Sequence, residues 1–348
     1  MPLALPSIPP PDTSAAASAR ERQATLTKPP GSLGRLEELS IQLAAITGQP
    51  RPSVARKAVI VMAGDHGVTG EGVSAYPAEV TPQMVLNFLR GGAAINVLAR
   101  QAGARVVVVD VGVAADLRPQ PGLELRKVAR GTQNMARGPA MTRAQVEDAM
   151  AVGLQVIEAE ATQGLDLVAT GDMGIGNTTA SAAIVAALTG MPVAHVTGRG
   201  TGVDNVGLAH KISVIEHALR VNQPNPRDAR DVLSKVGGLE IAGLVGVILG
   251  AAARRLPAVI DGFISGAAAL VAAELAPEVK PYLIASHLSA EVGHRVVLER
   301  LGLRPLLDLN LRLGEGTGAV LAFHLIEAAA RIPNEMATFA EAGVSDKE

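Results

Sequence analysis

Short apolar runs alternate with helix-like segments along most of this 348-residue chain, and this alternation constrains the fold more than any other feature. The runs are mainly apolar, without strict alternation of apolar and polar residues, which is typical of strands that are buried on both faces. The runs are Ala58–Ala63, Val106–Val111, Leu165–Thr170, Ala258–Asp261, Tyr282–Ser286 and Leu306–Leu309. Such strands, separated by helices, predict an α/β fold with a mainly parallel six-stranded sheet covered by helices on both faces.

Small, polar or glycine-rich residues follow each of these runs. The following segments are Gly64–Gly67, Gly112–Ala114, Gly171–Gly174, Gly262–Gly266, His287–Ser289 and Gly314–Gly318. In parallel sheets, ligands bind beyond the carboxyl ends of the strands. We therefore expect one crevice at that edge of the sheet to collect these loops.

The most informative loop is Gly171–Ala180, which reads Gly-Asp-Met-Gly-Ile-Gly-Asn-Thr-Thr-Ala. It lies between a predicted strand and a predicted helix, so its backbone N–H groups and the helix start favour a bound anion. The spacing is neither Gly-x-Gly-x-x-Gly nor a Walker loop, because no Lys-Ser or Lys-Thr follows the glycines. The alternative is a turn whose glycines serve only the packing of helix on strand.

Glu315 is the candidate catalytic carboxylate, because Gly314, Gly316 and Gly318 flank it and Thr317 then begins a helix. Small neighbours let a substrate approach closely, and partial desolvation raises the pKa of a glutamate toward the range of a general base. The alternative is an exposed turn carboxylate that favours a helix N-terminus.

Two further charged residues accompany glycine-rich loops. Asp172 lies inside Gly171–Ala180, where it either bonds ribose hydroxyls or caps the following turn. Lys211 follows a second such loop, Gly198–Asp204, and either supplies a point charge to a phosphate or lies solvated on a helix face.

Other chemistry has less support in the sequence. His287, Glu291 and His294 have the spacing of one helix face, but the predicted helix begins after His287 and no second ligand motif supports a metal site. Asp65–His66, between two glycines, favours a polar network at a strand end over a catalytic acid–base pair. The residues around Ser265 miss the Gly-x-Ser-x-Gly elbow of hydrolases.

The composition argues against several classes of protein. A net charge of −2 and a pI of about 6.4 give no basic footprint for nucleic acid. The lack of cysteine removes disulfides and thiolate chemistry and suits a reducing compartment. The apolar stretch Pro257–Pro277 contains Asp261 and Glu274, which favours a buried strand and helix over a membrane span. Met1–Pro11 lacks the pattern of a signal peptide, so we expect a disordered or draped arm in a cytoplasmic protein.

Helices at the two ends of the chain predict a second, smaller domain. Ser32–Thr47 is amphipathic, and Gly318–Ile332 predicts the last helix. We expect residues 1–54 and 318–348 to form a small helical domain and residues 55–317 to form a large α/β domain.

An ordered set of motifs resembles those of one family, the nicotinate-nucleotide:dimethylbenzimidazole phosphoribosyltransferases. The motifs are Lys28–Glu37, Ala63–Gly67, Gly91–Asn96, Gly171–Ala180, Gly200–Gly202, Ser286–His294 and Leu311–Ala319. They cover nearly the full length of the chain, and the ordered set is far more specific than any one loop. The resemblance implies a Rossmann-like, doubly wound sheet with a small helical domain, a homodimer, and no metal or redox cofactor.

The same resemblance implies the reaction. Nicotinate mononucleotide and 5,6-dimethylbenzimidazole give α-ribazole 5'-phosphate and nicotinate, which supplies the lower-ligand nucleotide of cobalamin. Glu315 matches the family's catalytic base, which takes the N–H proton of the benzimidazole as the other ring nitrogen attacks C1' of the ribose. Nicotinate leaves from the opposite face, so the configuration at C1' inverts.

We expect the remaining site residues to bind the nucleotide or the base. The residues assigned to the phosphate are Gly174, Gly176, Asn177, Thr178, Thr179, Gly200, Gly202 and Lys211. Tyr76, Gln83 and Met84 are the candidates for the benzimidazole wall, and Asp172 is expected to face the ribose. Family members commonly carry Glu where this chain has Asp172, and the shorter side chain leaves room for a bridging water.

Four alternatives make different demands on the sequence. Enzymes that use phosphoribosyl pyrophosphate carry two tandem acidic residues, whereas Val111 follows Asp110. An NAD-dependent oxidoreductase needs Gly-x-Gly-x-x-Gly in its first strand–helix unit, and Gly64–Gly67 does not provide it. A nucleotide-binding or sensing protein without turnover, or a phosphoribosyltransferase for another base, is compatible with the same anion site. Replacing Glu315 with Gln separates a catalyst from a sensor.

Overall fold

The computed structural model describes residues 3–345, and within that range it contains one six-stranded sheet. The strands are β1 (Lys57–Gly64), β2 (Ala104–Gly112), β3 (Leu123–Leu125), β4 (Leu167–Met173), β5 (Ala258–Ile260) and β6 (Leu283–Ala285). They lie in the order β3-β2-β1-β4-β5-β6, and every pairing is parallel. A chain that begins in the middle of a sheet and winds out to both edges is doubly wound. The predicted fold class is confirmed.

Helices connect these strands and cover both faces of the sheet. They are α1 (Thr13–Thr25), α2 (Arg35–Thr47), α3 (Val80–Leu89), α4 (Ala94–Ala102), α5 (Arg143–Thr162), α6 (Asn177–Thr189), α7 (Val193–Val196), α8 (Asn205–Asn222), α9 (Ala229–Val236), α10 (Leu239–Ala253), α11 (Phe263–Leu275), α12 (Val292–Leu301), α13 (Thr317–Glu335) and α14 (Phe339–Ala342). Two short 3-10 helices occur within the described range, at Gly67–Glu71 and Pro277–Tyr282.

The central strand β1 shows how the sequence builds two cores. Successive side chains of a strand point to opposite faces of the sheet. Ile60 and Met62 belong to a core that includes residues of α5, α6, α10 and α11, whereas Val59 and Val61 belong to a core with α2, α4 and α13. All residues of β1 are buried, which is why its sequence is continuously apolar.

The winding of the chain reverses between β1 and β4. From β1 the chain continues to β2 on one side, while from β4 it continues to β5 on the other side. The connections at the carboxyl ends of these neighbouring strands therefore diverge, and a crevice opens between them. This switch point is where ligands bind in open α/β sheets.

One predicted strand is wrong, and one observed strand was not predicted. Leu306–Leu309 forms no strand: only Leu307 makes an isolated bridge, to His287, and the chain turns away at Asn310, whose φ is 56°. The remaining strand of the sheet is β3 at the opposite edge. Its three residues are half-buried or exposed, so they lack the apolar run that marks the other strands.

The predicted helix boundaries are close to the observed ones. The predicted helix Ser32–Thr47 begins three residues later, at Arg35, because residues 30–34 form turns and Gly34 has a φ of 51°. The last helix extends beyond the predicted Ile332 to Glu335.

The N-terminal arm takes the draped form of the prediction over residues 3–12, which are extended and lie on the body of the protein. Its apolar side chains pack on the core; they are Leu3, Leu5 and Ile8. Tyr282 Oη donates a hydrogen bond to Pro9 O at 2.7 Å. Residues 1–2 lie outside the described range. Between residues 3 and 345, no helix is long and apolar enough to cross a membrane.

The two ends of the chain meet. Helix α2 packs against both α1 and α13. Leu26 and Thr338 form an isolated antiparallel bridge, and Thr27 N donates to Ala337 O at 3.0 Å. The division into a large and a small domain stays a prediction.

Candidate active site

Three loops meet at the switch point between β1 and β4. A Cβ placed on Gly174, after β4, would lie 2.3 Å from the carbonyl oxygen of Gly64, at the end of β1. A Cβ on Gly171 would lie 2.6 Å from the carbonyl oxygen of Glu315. The segments after β1 and β4 and the segment before α13 are therefore in backbone contact.

Glu315 lies buried in the turn before α13, with 5% of its surface exposed. Its backbone is left-handed, with a φ of 63°, a conformation that strains a non-glycine residue. Its Oε2 accepts a hydrogen bond from Ile95 N, in the first turn of α4, at 3.3 Å. The alternative of an exposed turn carboxylate is wrong, although the side chain does lie at a helix N-terminus.

The pKa of Glu315 is raised above its ordinary value. Burial raises it, the Ile95 N–H lowers it, and the negative charge of Asp261 raises it again. A carboxylate with a raised pKa is a stronger base when it is ionised, so this side chain suits the acceptance of a proton.

Asp261, just after β5, holds the Glu315 turn in place. Its Oδ2 accepts from Gly316 N at 3.2 Å, and its Oδ1 accepts from Ala319 N at 3.0 Å. Burial raises the pKa of Asp261 to about 7, although several backbone N–H groups oppose that shift. The sequence offered this residue only as a charge inside an apolar stretch.

Asp172 lies buried in β4 beside the same turn. Its Oδ2 accepts a hydrogen bond from Asn177 Nδ2 at 2.9 Å, while its Oδ1 has no partner among the described residues. Burial, followed by the negative charges of Asp261, Glu240 and Glu315, raises its pKa well above the ordinary value. Burial and neighbouring negative charges both disfavour the ionised form of Asp172.

Helix α6 begins directly after Gly176 and points its N-terminus into the crevice. Gly176 has a φ of 96°, and no side chain of residues 3–345 caps this helix start. The Thr179 hydroxyl is buried without a hydrogen-bond partner in the described part of the chain. An uncapped helix N-terminus leaves N–H donors and a partial positive charge for an anion.

Lys211 adds a buried cation to this helix start. It lies on α8 with 1% of its surface exposed, and its Nζ donates to Thr178 Oγ1 at 2.7 Å. Within residues 3–345, no carboxylate lies within ion-pair distance of it. Burial lowers the pKa of Lys211 to about 8, against a raising effect of Glu291. The alternative of a solvated lysine is wrong.

The second glycine-rich loop approaches the same cation. A Cβ on Gly200 would lie 3.0 Å from Lys211 Nζ and 2.6 Å from Thr178 Oγ1. Gly202 is exposed, and a Cβ there would have no atom within 4 Å. Gly200 therefore lies beside Lys211 and Thr178, and the role of Gly202 stays a prediction.

Asp65 and His66 form the expected polar network at the end of β1. His66 Nε2 lies 2.6 Å from Oε1 of Glu240, in the first turn of α10, and Asp65 Oδ2 accepts from Ala114 N at 2.8 Å. Burial disfavours the charged imidazole, but Glu240 and Asp65 outweigh it and raise the pKa of His66. The sequence did not indicate Glu240, which lies far along the chain from its partner.

His287, Glu291 and His294 do not share a helix face, because α12 begins only at Val292. Burial lowers the pKa of His287 to about 4. Burial and the neighbouring His287 lower the pKa of His294 to about 3. No group of three or more potential metal-binding side chains occurs in residues 3–345. Glu291 instead accepts a hydrogen bond from Gly200 N at 2.9 Å.

Comparison with known proteins identifies the family. A family model described as phosphoribosyltransferase matches residues 8–344. A protein of Chloroflexus aggregans, named nicotinate-nucleotide--dimethylbenzimidazole phosphoribosyltransferase, is 65% identical over 98% of this chain and 97% of its own. The Geobacter sulfurreducens protein of the same name is 61% identical over 99% and 97%. The crystal structure of CobT from Thermus thermophilus superimposes with a TM-score of 0.93, at 53% identity, over 96% of this chain and 100% of that one.

The chain belongs to the nicotinate-nucleotide:dimethylbenzimidazole phosphoribosyltransferase family. It is therefore an enzyme of the pentosyltransferase class, and the resemblance that the motifs carried is confirmed. Membership in this phosphoribosyltransferase family decides against the oxidoreductase and against a binding protein without turnover.

One of the residues predicted for the base, Tyr76, follows a segment that contacts the second glycine-rich loop. Tyr76 is 56% exposed and follows Ser74 and Ala75, which both hydrogen-bond to Thr201 Oγ1 at 3.1 Å. This places Tyr76 beside the second glycine-rich loop.

Helix α3 carries the other two candidates for the base. Gln83 is exposed, and Met84 is half-buried against the core. The helix touches the anion site through Thr81, whose Oγ1 accepts from Ile175 N at 3.1 Å. Helix α3 therefore borders the crevice at Thr81, and the contact of Tyr76, Gln83 and Met84 with a base stays a prediction.

Proposed function

We propose that this protein transfers the 5-phosphoribosyl group from nicotinate mononucleotide to 5,6-dimethylbenzimidazole in the assembly of the lower-ligand nucleotide of cobalamin. The products are α-ribazole 5'-phosphate and nicotinate. The observation that carries the proposal is a buried glutamate with a raised pKa at the same sheet edge as an uncapped helix N-terminus with a buried, unpaired lysine.

The phosphate of the nucleotide is assigned to the start of α6. Thr178 and Lys211 provide a hydroxyl and an ammonium there, and Gly200 leaves space beside them. A dianionic phosphate replaces the missing counter-ion of Lys211, and the helix start adds N–H donors. Gly174, Gly176, Asn177 and Thr179 complete this part of the site.

The ribose is assigned to Asp172 and Asn177, which lie between the phosphate site and the Glu315 turn. The free Oδ1 of Asp172 faces no protein donor among the described residues, so it has capacity for a ribose hydroxyl, directly or through a water.

Glu315 is assigned as the general base. As one benzimidazole nitrogen forms its bond to C1', the C1'–N bond to nicotinate breaks, and the electron pair returns to the pyridine ring, which loses its positive charge. The benzimidazole thereby becomes cationic, and Glu315 accepts the proton from its other nitrogen. Attack from the face opposite nicotinate converts the β-nucleotide into an α-nucleotide. A cationic pyridine is already a good leaving group, so positioning and one base are sufficient.

The surroundings of this site are proposed on the family resemblance. Tyr76, Gln83 and Met84 form the wall for the benzimidazole, the enzyme is a cytoplasmic homodimer, and the helices of both chain ends form a small domain.

The experiment is a turnover assay with nicotinate mononucleotide and 5,6-dimethylbenzimidazole, in which chromatography follows both products. Equal amounts of nicotinate and α-ribazole 5'-phosphate are expected. Release of nicotinate only with a different base changes the proposed acceptor and keeps the proposed role of Glu315. The absence of nicotinate release with any benzimidazole or purine contradicts the proposal.

A further inference from the structure

Two side chains form hydrogen bonds with the backbone of Gly200. Its N–H donates to Glu291 Oε1 at 2.9 Å, and its carbonyl oxygen accepts from Arg312 Nη1 at 2.9 Å. Gly200 has a φ of 53°, a left-handed conformation that glycine adopts without strain. These bonds tie the loop between α7 and α8 to the segments that precede α12 and α13.

Glu291 is buried, and it forms no ion pair in the part of the chain that the structure describes. It is 5% exposed, and its second oxygen, Oε2, has no hydrogen-bond partner within residues 3–345. A Cβ on Gly198 would lie 2.1 Å from that oxygen, so the loop backbone lies directly against the carboxylate. A buried carboxylate with one hydrogen bond is costly unless a positive charge lies nearby.

The nearby positive charge is Lys211, on the other side of Gly200. Its Nζ lies 3.0 Å from the position of a Cβ on Gly200, whereas Glu291 bonds the N–H of the same residue. The two charges attract each other through a poorly hydrated region without forming an ion pair. The ammonium thus keeps a free side for a ligand while a carboxylate balances its charge from behind the loop.

We propose that Glu291 is a positioning residue of the phosphate site: it fixes the Gly200 loop and balances the charge of the Lys211 ammonium that receives the phosphate. This inference rests on the proposed function, because it takes the phosphate of nicotinate mononucleotide as the ligand. The carboxylate does not touch the nucleotide. In this arrangement the ammonium of Lys211 lies between the bound phosphate and the carboxylate of Glu291. The backbone of Gly200 separates the phosphate from that carboxylate.

The charged groups around Lys211 make this role testable by pH. Helix α6 contributes only the neutral Thr178 hydroxyl, and Arg312 faces the carbonyl oxygen of Gly200. His294, beside Glu291, has a pKa lowered to about 3 by burial and by His287, so it is neutral above that pH. Glu291 is therefore the anion that sustains the protonated state of Lys211 in the free enzyme.

The test uses Glu291→Gln and Glu291→Ala in the full-length enzyme. Gln keeps an acceptor oxygen for Gly200 N but removes the charge, whereas Ala removes both. For Glu291→Gln, the KM for nicotinate mononucleotide is expected to begin its alkaline rise about one pH unit earlier than in the wild type, with kcat at pH 7 nearly unchanged. For Glu291→Ala, the KM is expected to rise about tenfold at pH 7. Glu299→Gln, an exposed change on α12, is the matched control and leaves the profile in place.

The outcomes separate this inference from the proposed function. Calorimetric titration with nicotinate mononucleotide measures phosphate-site binding in each variant even without turnover, and thermal unfolding verifies that each variant is folded. An unshifted pH profile and unchanged affinity in folded Glu291→Gln and Glu291→Ala overturn the role of Glu291. If the wild type binds the nucleotide but releases no nicotinate, the reaction assignment fails while the binding comparison still decides the role of Glu291.

Discussion

Asp261 accepts a hydrogen bond from the backbone N–H of Gly316 at 3.2 Å, so a carboxylate from the end of β5 holds the turn that carries Glu315. The same carboxylate accepts from Ala319 N and thereby also caps the start of α13. One buried side chain thus fixes both the helix and the proposed base. The conformation of Glu315, strained at a φ of 63°, is set from outside its own segment.

Replacing Asp261 with Asn is expected to separate stability from activity. Because the pKa of Asp261 is about 7 in the folded protein and near 3.8 when unfolded, its stabilising effect is full below pH 3.8 and is lost as the pH rises through 7. Asn does not ionise, so the free energy of unfolding of the variant should fall less between pH 4 and 8 than that of the wild type.

The kcat of Asp261→Asn should drop about tenfold, since an amide with one acceptor oxygen replaces a carboxylate with two. Denaturant unfolding and steady-state kinetics test this, with the exposed Asp308→Asn as control; an equally steep fall in stability contradicts it.

Replacing Glu315 with Gln is expected to lower kcat by about 10² to 10⁴-fold, because an amide does not accept the benzimidazole proton. The affinity for nicotinate mononucleotide should change little, since the proposed phosphate site lies at α6, away from Glu315. In the wild type, kcat should fall toward acid as Glu315 becomes protonated, with an apparent pKa above the ordinary value of 4.5. The variant should lack this acid limb. A variant with near-normal turnover contradicts the assignment of the base.

The pKa of Lys211 predicts that nucleotide binding weakens at alkaline pH. With a pKa of about 8, the ammonium of the free enzyme loses its charge as the pH rises through 8, so the KM for nicotinate mononucleotide should increase above that pH. Lys211→Met should raise this KM about 10- to 150-fold at pH 7 and should remove the alkaline increase. The exposed Lys280→Met provides the control, and an unchanged KM in Lys211→Met places the phosphate elsewhere.

The buried pair His66–Glu240 predicts a second pH dependence, in stability. Because Glu240 and Asp65 raise the pKa of His66 above 6.5, the stabilising effect of the charged pair is full below pH 6.5 and is lost as the pH rises through the folded-state pKa. Glu240→Gln keeps an acceptor but removes the charge, and it should lower the free energy of unfolding by about 3 kcal/mol at pH 6. The difference from the wild type should shrink at higher pH. Unfolding curves at several pH values, with the exposed Glu278→Gln as control, measure this; a difference that does not depend on pH points to packing alone.

Local patterns made most of the sheet predictable. The continuous apolar runs of β1 and β4 lie between two layers of helices, and burial on both faces leaves a clear signature in the sequence. Strand β3 is short and partly exposed, so it carries no such signature. Leu306–Leu309 carries the signature without the pairing, because the chain turns at Asn310 and leaves Leu309 54% exposed.

The residues of the candidate site likewise fall into those that could be predicted from local sequence and those that could not. Glycine-rich segments indicated Glu315 and Gly171–Ala180, because close approach of a backbone requires glycine locally. The sequence did not indicate the roles of three buried carboxylates, because those roles depend on partners far along the chain. They are Asp261, Glu240 and Glu291. Such contacts arise from the winding of the sheet and leave no local spacing to read.

The turn that carries Glu315 also predicts a steric requirement at Gly316. This residue has a φ of 89°, and a Cβ there would lie 2.5 Å from Val59 Cγ2 and 3.2 Å from Thr170 O, inside the sheet. Gly190, at the end of α6, has a φ of 71° with no atom within 4 Å of a Cβ, so it isolates the cost of the backbone conformation. Gly190→Ala should lower the free energy of unfolding by about 1 kcal/mol, and Gly316→Ala by about 2 to 5 kcal/mol. Only Gly316→Ala should also lower kcat, because the displaced turn moves Glu315. Equal losses of stability in the two variants, together with normal kcat in both, contradict a tightly packed turn.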